Sequence, residues 1–287
     1  VADLSDYQID WNGFLFGAGT SYELVRLDGW IDSPGLTNGS APRTARHGSW
    51  PGGMRGQART VTATLEIAAG EAMGEAIRAL RAATPIVRSA VQAPLAIRCD
   101  GETLVVGAQF AGRVVPIDQP YSMGYAPKAV LQWFCADPRL YEPVEQSVTI
   151  GAPAGGSGGL AYPLAYPLVY GTAPVPNTAT CVNTGNAETN PVVTFIGPLT
   201  TPRLVNSTTT RALVFDLDLD DGQTLIVDTD RGTVLLNGTT DRRNTRSNLG
   251  VPIEYFELDP GPNDLSLLAE ASGPGAQATV RWKSASM

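Results

Sequence analysis

Glycine and proline punctuate this chain so densely that no long regular element fits between them. With 31 glycines and 22 prolines among 287 residues, apolar periodicity survives only in short runs. Most of those runs alternate with period two, the signature of strands. A coiled coil is excluded because no heptad pattern crosses the glycines, and no apolar run approaches the ~18 residues of a membrane span. One segment breaks the rule. Over Ala69–Ala83, Met73, Ile77 and Leu80 recur at helical spacing, with Glu71 near the start and Arg78 and Arg81 near the end, a charge order that suits the helix dipole. Thr84-Pro85 stops it.

The strand signals come in two blocks. In the first, Tyr7–Trp11, Phe14–Phe16 and Tyr22–Leu27 are separated by turn residues such as Asn12-Gly13. Arg59–Ile67 places Val61, Ala63, Leu65 and Ile67 on one face, and Leu95–Cys99, Thr103–Val106 and Val130–Cys135 follow. In the second block the strands are Val192–Ile196, Leu213–Asp220, Thr224–Asp228, Thr233–Gly238, Ile253–Leu258 and Gln277–Lys283. Between the blocks lie Gly155–Gly159 and a tandem of Tyr162-Pro163-Leu164, Tyr166-Pro167-Leu168 and Tyr170-Gly171, material for an extended linker. Its tyrosines suit packing on a neighbouring domain or, alternatively, recognition of a sugar. The expected organisation is a domain over 1–145, a linker over 146–180 and a second domain over 181–287. The fold expected is mainly β: an N-terminal β-sandwich or split-barrel-like domain with one helix, then a C-terminal β-sandwich.

Charge and composition narrow the chemistry. The formal charge is −8, with lysine only at Lys128 and Lys283, so the basic footprint of a nucleic-acid binder is missing and no sequence-specific nucleic-acid contact is expected. Residues 1–7 carry neither the basic nor the apolar region of a secretory signal. Cys99, Cys135 and Cys181 are odd in number and lack CxxC spacing, which points to neither a disulfide framework nor a zinc site; Cys99 and Cys135 read as small strand hydrophobes. A single histidine, His47, removes most nucleophile–base schemes. No hydrolase elbow, zinc-protease or phosphate-loop motif occurs. Catalytic residues, metal ligands and cofactors are therefore not expected, and the chain reads as a structural protein rather than an enzyme.

Three constellations remain. Asp216, Asp218, Asp220 and Asp221 resemble a calcium loop, yet Asp221 and Val227 stand where an EF-hand needs its glycine and its glutamate. The simpler reading puts Phe215, Leu217 and Leu219 in a core and the aspartates in water. The unpatterned stretch 33–58 gathers Arg43, Arg46, His47, Trp50 and Arg55, with Arg59 just beyond. It is either a solvated loop or a contact arm with Trp50 as its anchor, since interfaces favour Trp and Arg. Tyr255 and Trp282 are candidates for a docking or sugar-binding face on the second domain.

The order of several segments resembles the distal tail protein, or minor tail protein, family of long-tailed, non-contractile siphophages. The resemblance rests on the glycine- and arginine-rich loop leading into Ala58–Ile67, on the single helix, and on Phe134–Tyr141. It continues through Asn183-Thr184-Gly185, Asn190-Pro191, the Asp221–Gly238 hairpin and Phe256–Leu265. It implies a virion component at the distal end of the tail, with six N-terminal domains in a ring around the DNA channel and a C-terminal sandwich similar to galectins and carbohydrate-binding modules. The implied partners are other copies of itself, the tail tube protein, the tail-tip hub, the tape-measure protein and a receptor-binding protein or fibre. A net charge of −8 per copy is compatible with an acidic lumen that DNA crosses without sticking. A carbohydrate-binding adhesin of the tail is the alternative, and a cell-wall hydrolase a more distant one.

Overall fold

The computed structural model describes residues 3–68, 70–88, 90–152 and 176–287; the glycine run and the tyrosine–proline tandem lie outside them. The chain is mainly β and divides into two compact units, residues 1–143 with Met287 and residues 144–286.

In the first unit the strands are β1 (Gln8–Trp11), β2 (Phe14–Gly17), β3 (Tyr22–Asp28), β4 (Leu36–Asn38), β5 (Ala41–Pro42), β6 (Ser49–Trp50), β7 (Met54–Gly56) and β8 (Arg59–Ile67). Helix α1 (Met73–Ala83), β9 (Ala93–Cys99), β10 (Glu102–Val114), the one-turn helix α2 (Gln119–Ser122), β11 (Lys128–Cys135) and β12 (Leu140–Tyr141) complete it. An antiparallel path runs β2-β1-β9-β10-β11-β8-β3. The alternation in β8 works as its sequence suggests: Val61, Ala63, Leu65 and Ile67 are buried, and the residues between them are not. Ala129, Leu131, Trp133 and Cys135 of β11 join them in the core.

Trp133 is the hub of that core, with ring contacts to Trp11, Phe16 and Phe110 at about 6 Å. The tight turns at Asn12-Gly13 and Asp100-Gly101 both place two successive residues at positive φ, the geometry a two-residue hairpin demands. α1 buries Ala76 and Leu80, and the Tyr22 hydroxyl donates to the Ala76 carbonyl at 2.7 Å.

The sheet is open: no hydrogen-bonded closure makes a barrel among the described strands, and the ends of the path approach through rings, Phe14 and Phe16 lying 5.5 and 5.6 Å from Tyr22. One expectation for this unit changes, because the helix is not alone. Asp118 caps α2 by accepting the Tyr121 N–H, and α1 itself begins at Met73, preceded by a 3-10 turn at Gly70–Ala72.

The second unit holds β13 (Gln146–Gly151), β14 (Thr178–Asn183), β15 (Val192–Ile196), β16 (Leu199–Thr200), β17 (Arg203–Asn206), β18 (Arg211–Val214), β19 (Asp218–Leu219), β20 (Thr224–Asp228), β21 (Thr233–Leu236) and β22 (Thr240–Asp241). β23 (Gly261–Leu268), β24 (Ala271–Ser272), β25 (Gln277–Trp282) and β26 (Ala285–Ser286) end it. One sheet runs β13-β25-β15-β20-β21-β22, a second β14-β23-β17-β18 and a third β19-β16-β24. A single apolar core joins them, with Val193, Phe195 and Val227 from the first sheet, Leu204, Leu213 and Leu267 from the second and Leu219 from the third.

Residues 146–151, expected at the start of a linker, pair with β25 instead. Leu213–Asp220 is not one strand. After β18 the Phe215 N–H turns to the Pro202 carbonyl and the Asp216 N–H to that of Thr245, so the chain changes sheets while its alternation continues. Ile253–Leu258 begins as a 3-10 turn behind Pro252, with Tyr255 and Phe256 donating three residues back. Among the strands that pattern reading overlooks, the longest is β23, because it opens on Gly261-Pro262. Pro262 sits at its start, where a missing N–H costs least.

Candidate functional site

The stretch 33–58, expected as an unpatterned loop, is a β-ribbon arm. β4 pairs with β7 and β5 with β6, and the Arg43 N–H closes the tip onto the Gly48 carbonyl at 3.1 Å. Every strand residue of the arm is exposed. Its alternation is invisible in sequence because neither face has a core to satisfy.

The expected contact residues Arg43, Arg46, His47, Trp50 and Arg55 all lie on this arm and are exposed. Arg46 and His47 occupy the tip, Arg55 sits on β7 opposite Thr37, and the Arg43 guanidinium lies 4.5 Å from the centre of the Trp50 ring. Leu36, Trp50 and Met54 put large apolar side chains into solvent. No acidic residue occurs from residue 33 to residue 65, so the arm is uniformly basic in an acidic chain.

Arg59 proves different from its neighbours. It is 3% exposed, and it shares the inward parity of Val61, Ala63, Leu65 and Ile67. That parity is the sequence signal for its burial. One guanidinium nitrogen donates to the carbonyls of Gly29, Trp30 and Asp32 at 2.7–2.9 Å, and Nε donates to that of Pro138 at 2.9 Å. Arg59 thus ties the segment entering the arm to the segment that follows β11, and belongs to the arm's base rather than its contact face. Burial lowers its pKa, opposed by Cys135 and Asp32. Across the ladder, burial pushes the Cys135 thiol up to about 11, with Arg59 pulling the other way.

On the second unit the two aromatic candidates separate. Tyr255 is 61% exposed beside Glu254 and Glu257. Trp282 is buried, and its indole N–H donates to the Val182 carbonyl at 3.0 Å. It is a core residue and is corrected as a member of any docking or sugar face; β25 buries Ala278, Val280 and Trp282 on one side.

The aspartates of 216–221 are exposed while Phe215 and Leu219 are buried, and among the described residues no group of three or more His, Cys, Asp or Glu is gathered to hold a metal. The polar motif Asn183-Thr184-Gly185 is structural. Buried Asn183 donates to the Ala187 carbonyl at 2.7 Å and accepts from the Ala285 N–H, and a Cβ on Gly185 would stand 1.8 Å from the Ala285 oxygen.

Comparison with known proteins agrees with this architecture. Residues 184–285 match the family described as siphovirus-type tail component, C-terminal domain. The Dit protein (gp 19.1) of phage SPP1, described as a paradigm of the hub adsorption apparatus in phages that infect Gram-positive bacteria, superposes with a TM-score of 0.62 at 12% identity, over 97% of this chain and 98% of that one. A chain of the phage P2 baseplate in its activated conformation with Ca gives 0.50 at 11% identity, over 96% of each. No curated protein sequence matches. Residues 184–285 are thus similar to the C-terminal domain of siphovirus-type tail components, within a chain that shares the fold of SPP1 Dit along nearly its whole length.

Proposed function

We propose that this chain is a structural subunit of the siphophage tail tip, not an enzyme, which assembles into a six-membered ring between the tail tube and the host-recognition proteins. The observation that carries the reading is the two-unit plan itself, shared end to end with SPP1 Dit although few residues are identical. The exposed arm supports it. A ribbon of basic and large apolar residues, tied down at its base by Arg59, is built to be covered by another chain. The N-terminal unit forms the ring, and the arm reaches onto a neighbouring copy. The partners are the tail tube, hub and tape-measure proteins and a receptor-binding protein or fibre. The place of action is the distal end of the virion tail. Burial of Trp282 weighs against a glycan-binding second unit.

Light scattering after size exclusion tests the arm's part in this. The wild-type chain elutes as an oligomer. A variant carrying Arg43→Ala and Trp50→Ala retains its fold and shifts towards monomer, with dissociation about tenfold or more easier, as loss of a Trp/Arg anchor implies. Unchanged association in that variant removes the arm from the interface.

A further inference from the structure

Positive charge gathers a second time, away from the arm. Arg78 and Arg81 stand one turn apart on α1, and β10 brings Arg113 beside them. The three line an open depression of about 470 Å³ whose other walls include Thr84, Pro85 and Ile86. No carboxylate lines it, and none of the three arginines takes part in an ion pair among the described residues. Arg113 is held in place. It donates to the Thr84 carbonyl at 3.2 Å and to the Thr84 hydroxyl, and buried Thr84 donates in turn to the Leu80 carbonyl at 2.6 Å. Burial, then the charge of Arg81, lowers the Arg113 pKa. Compensation of the helix dipole accounts for Arg81 in the last turn of α1. It does not account for Arg113, which comes from a strand.

A chain with eight more acidic than basic residues has nonetheless brought cations together without a counter-charge, an arrangement that an incoming anion relieves. What lies alongside decides the kind of anion. Pro85 is shared with a second hollow of about 180 Å³, lined by apolar groups including Trp11, Val87, Val91 and Phe110. Val87 and Val91 of this hollow and Ile86 of the first depression are all exposed. A nucleic-acid backbone would use the arginines and leave this apolar surface wet. A protein segment carrying a carboxylate next to an aliphatic side chain uses both.

We propose that the depression beside α1 is a docking site for an acidic, apolar segment of a partner protein. Arg78, Arg81 and Arg113 receive its carboxylates, and the hollow between Trp11 and Phe110 takes its aliphatic side chain. The site is separate from the arm and stands whether or not the chain forms a ring.

The test is fluorescence anisotropy on the full chain with a labelled peptide of alternating Glu and Leu. Binding is expected, with weaker binding of the matching Gln–Leu peptide. Arg78→Glu with Arg81→Glu weakens the acidic peptide about tenfold or more. Arg78→Gln with Arg81→Gln gives an intermediate loss, and Val87→Asp weakens it through the apolar side. Arg78, Arg81 and Val87 are exposed, so thermal melts of these variants stay near wild type; Arg113 is left intact because it holds Thr84. No binding by the wild type, or equal binding by the charge-reversed variant, overturns the proposal. Displacement of the peptide by a short DNA duplex at lower concentration than by unlabelled peptide also overturns it, and assigns the arginines to phosphate.

Discussion

At the scale of single residues the molecule separates side chains that hold the fold from side chains offered to others, and the two are easily confused in sequence. Arg59 belongs to the same arginine-rich neighbourhood as Arg43, Arg46 and Arg55, yet its guanidinium meets four backbone carbonyls inside the first unit. Arg59→Met leaves those acceptors without their donor and is expected to destabilise the chain by roughly 3 kcal/mol in denaturant unfolding. Arg59→Lys does not restore it, since a point ammonium cannot reproduce the fork. Arg43→Ala, on the exposed arm, stays within about 0.5 kcal/mol of wild type.

The cysteines give a second check. Burial pushes Cys135 up to about 11 and Cys181 up to about 12, while Cys99 is raised by burial and by Asp100 and remains partly exposed. Native labelling near pH 8 therefore reaches at most Cys99, and all three react after unfolding; fast native reaction of Cys181 would contradict its burial. These raised thiol values also carry a sign. Their contribution to stability is complete below the unfolded value of 9.0 and is lost as pH rises through the folded values of Cys135 and Cys181.

Elements were legible in the sequence wherever a core imposed its period. β8, β15 and β20 coincide with their predicted spans because one face of each meets an apolar interior. The arm was missed as structure, since a ribbon exposed on both faces writes no alternation. Ile253–Leu258 misled for the opposite reason, six mixed apolar and acidic residues being too few to separate a strand from a 3-10 turn behind proline. β23 hid behind Gly261-Pro262, and Leu213–Asp220 kept its parity while changing sheets. Of the candidate site, Trp50 and its arginines were visible through residue type alone, whereas the Arg78–Arg81–Arg113 depression was not, because only the fold brings Arg113 to α1. One turn sensitive to a single methyl group is that at Gly185. Gly185→Ala drives a Cβ into the Ala285 carbonyl and is expected to cost about 2 kcal/mol or more of unfolding free energy, whereas Gly53→Ala, on the arm with open space around it, is tolerated.

On the scale of the whole molecule, two separately packed units leave their unpaired surfaces for assembly. Each unit has its own core, and among the described residues no group of three or more His, Cys, Asp or Glu is gathered to hold a metal. The features left over after folding face outward: a basic, aromatic arm, an arginine-lined depression, and exposed apolar side chains such as Ile117 and Met123. Such outward features suit the proposed ring subunit, whose exposed surfaces neighbouring copies would cover. Electron microscopy of the purified protein tests this most directly. The account predicts closed rings with six-fold averages and a mass near six times 30.2 kDa. A monodisperse population of single chains at the highest attainable concentration would contradict it.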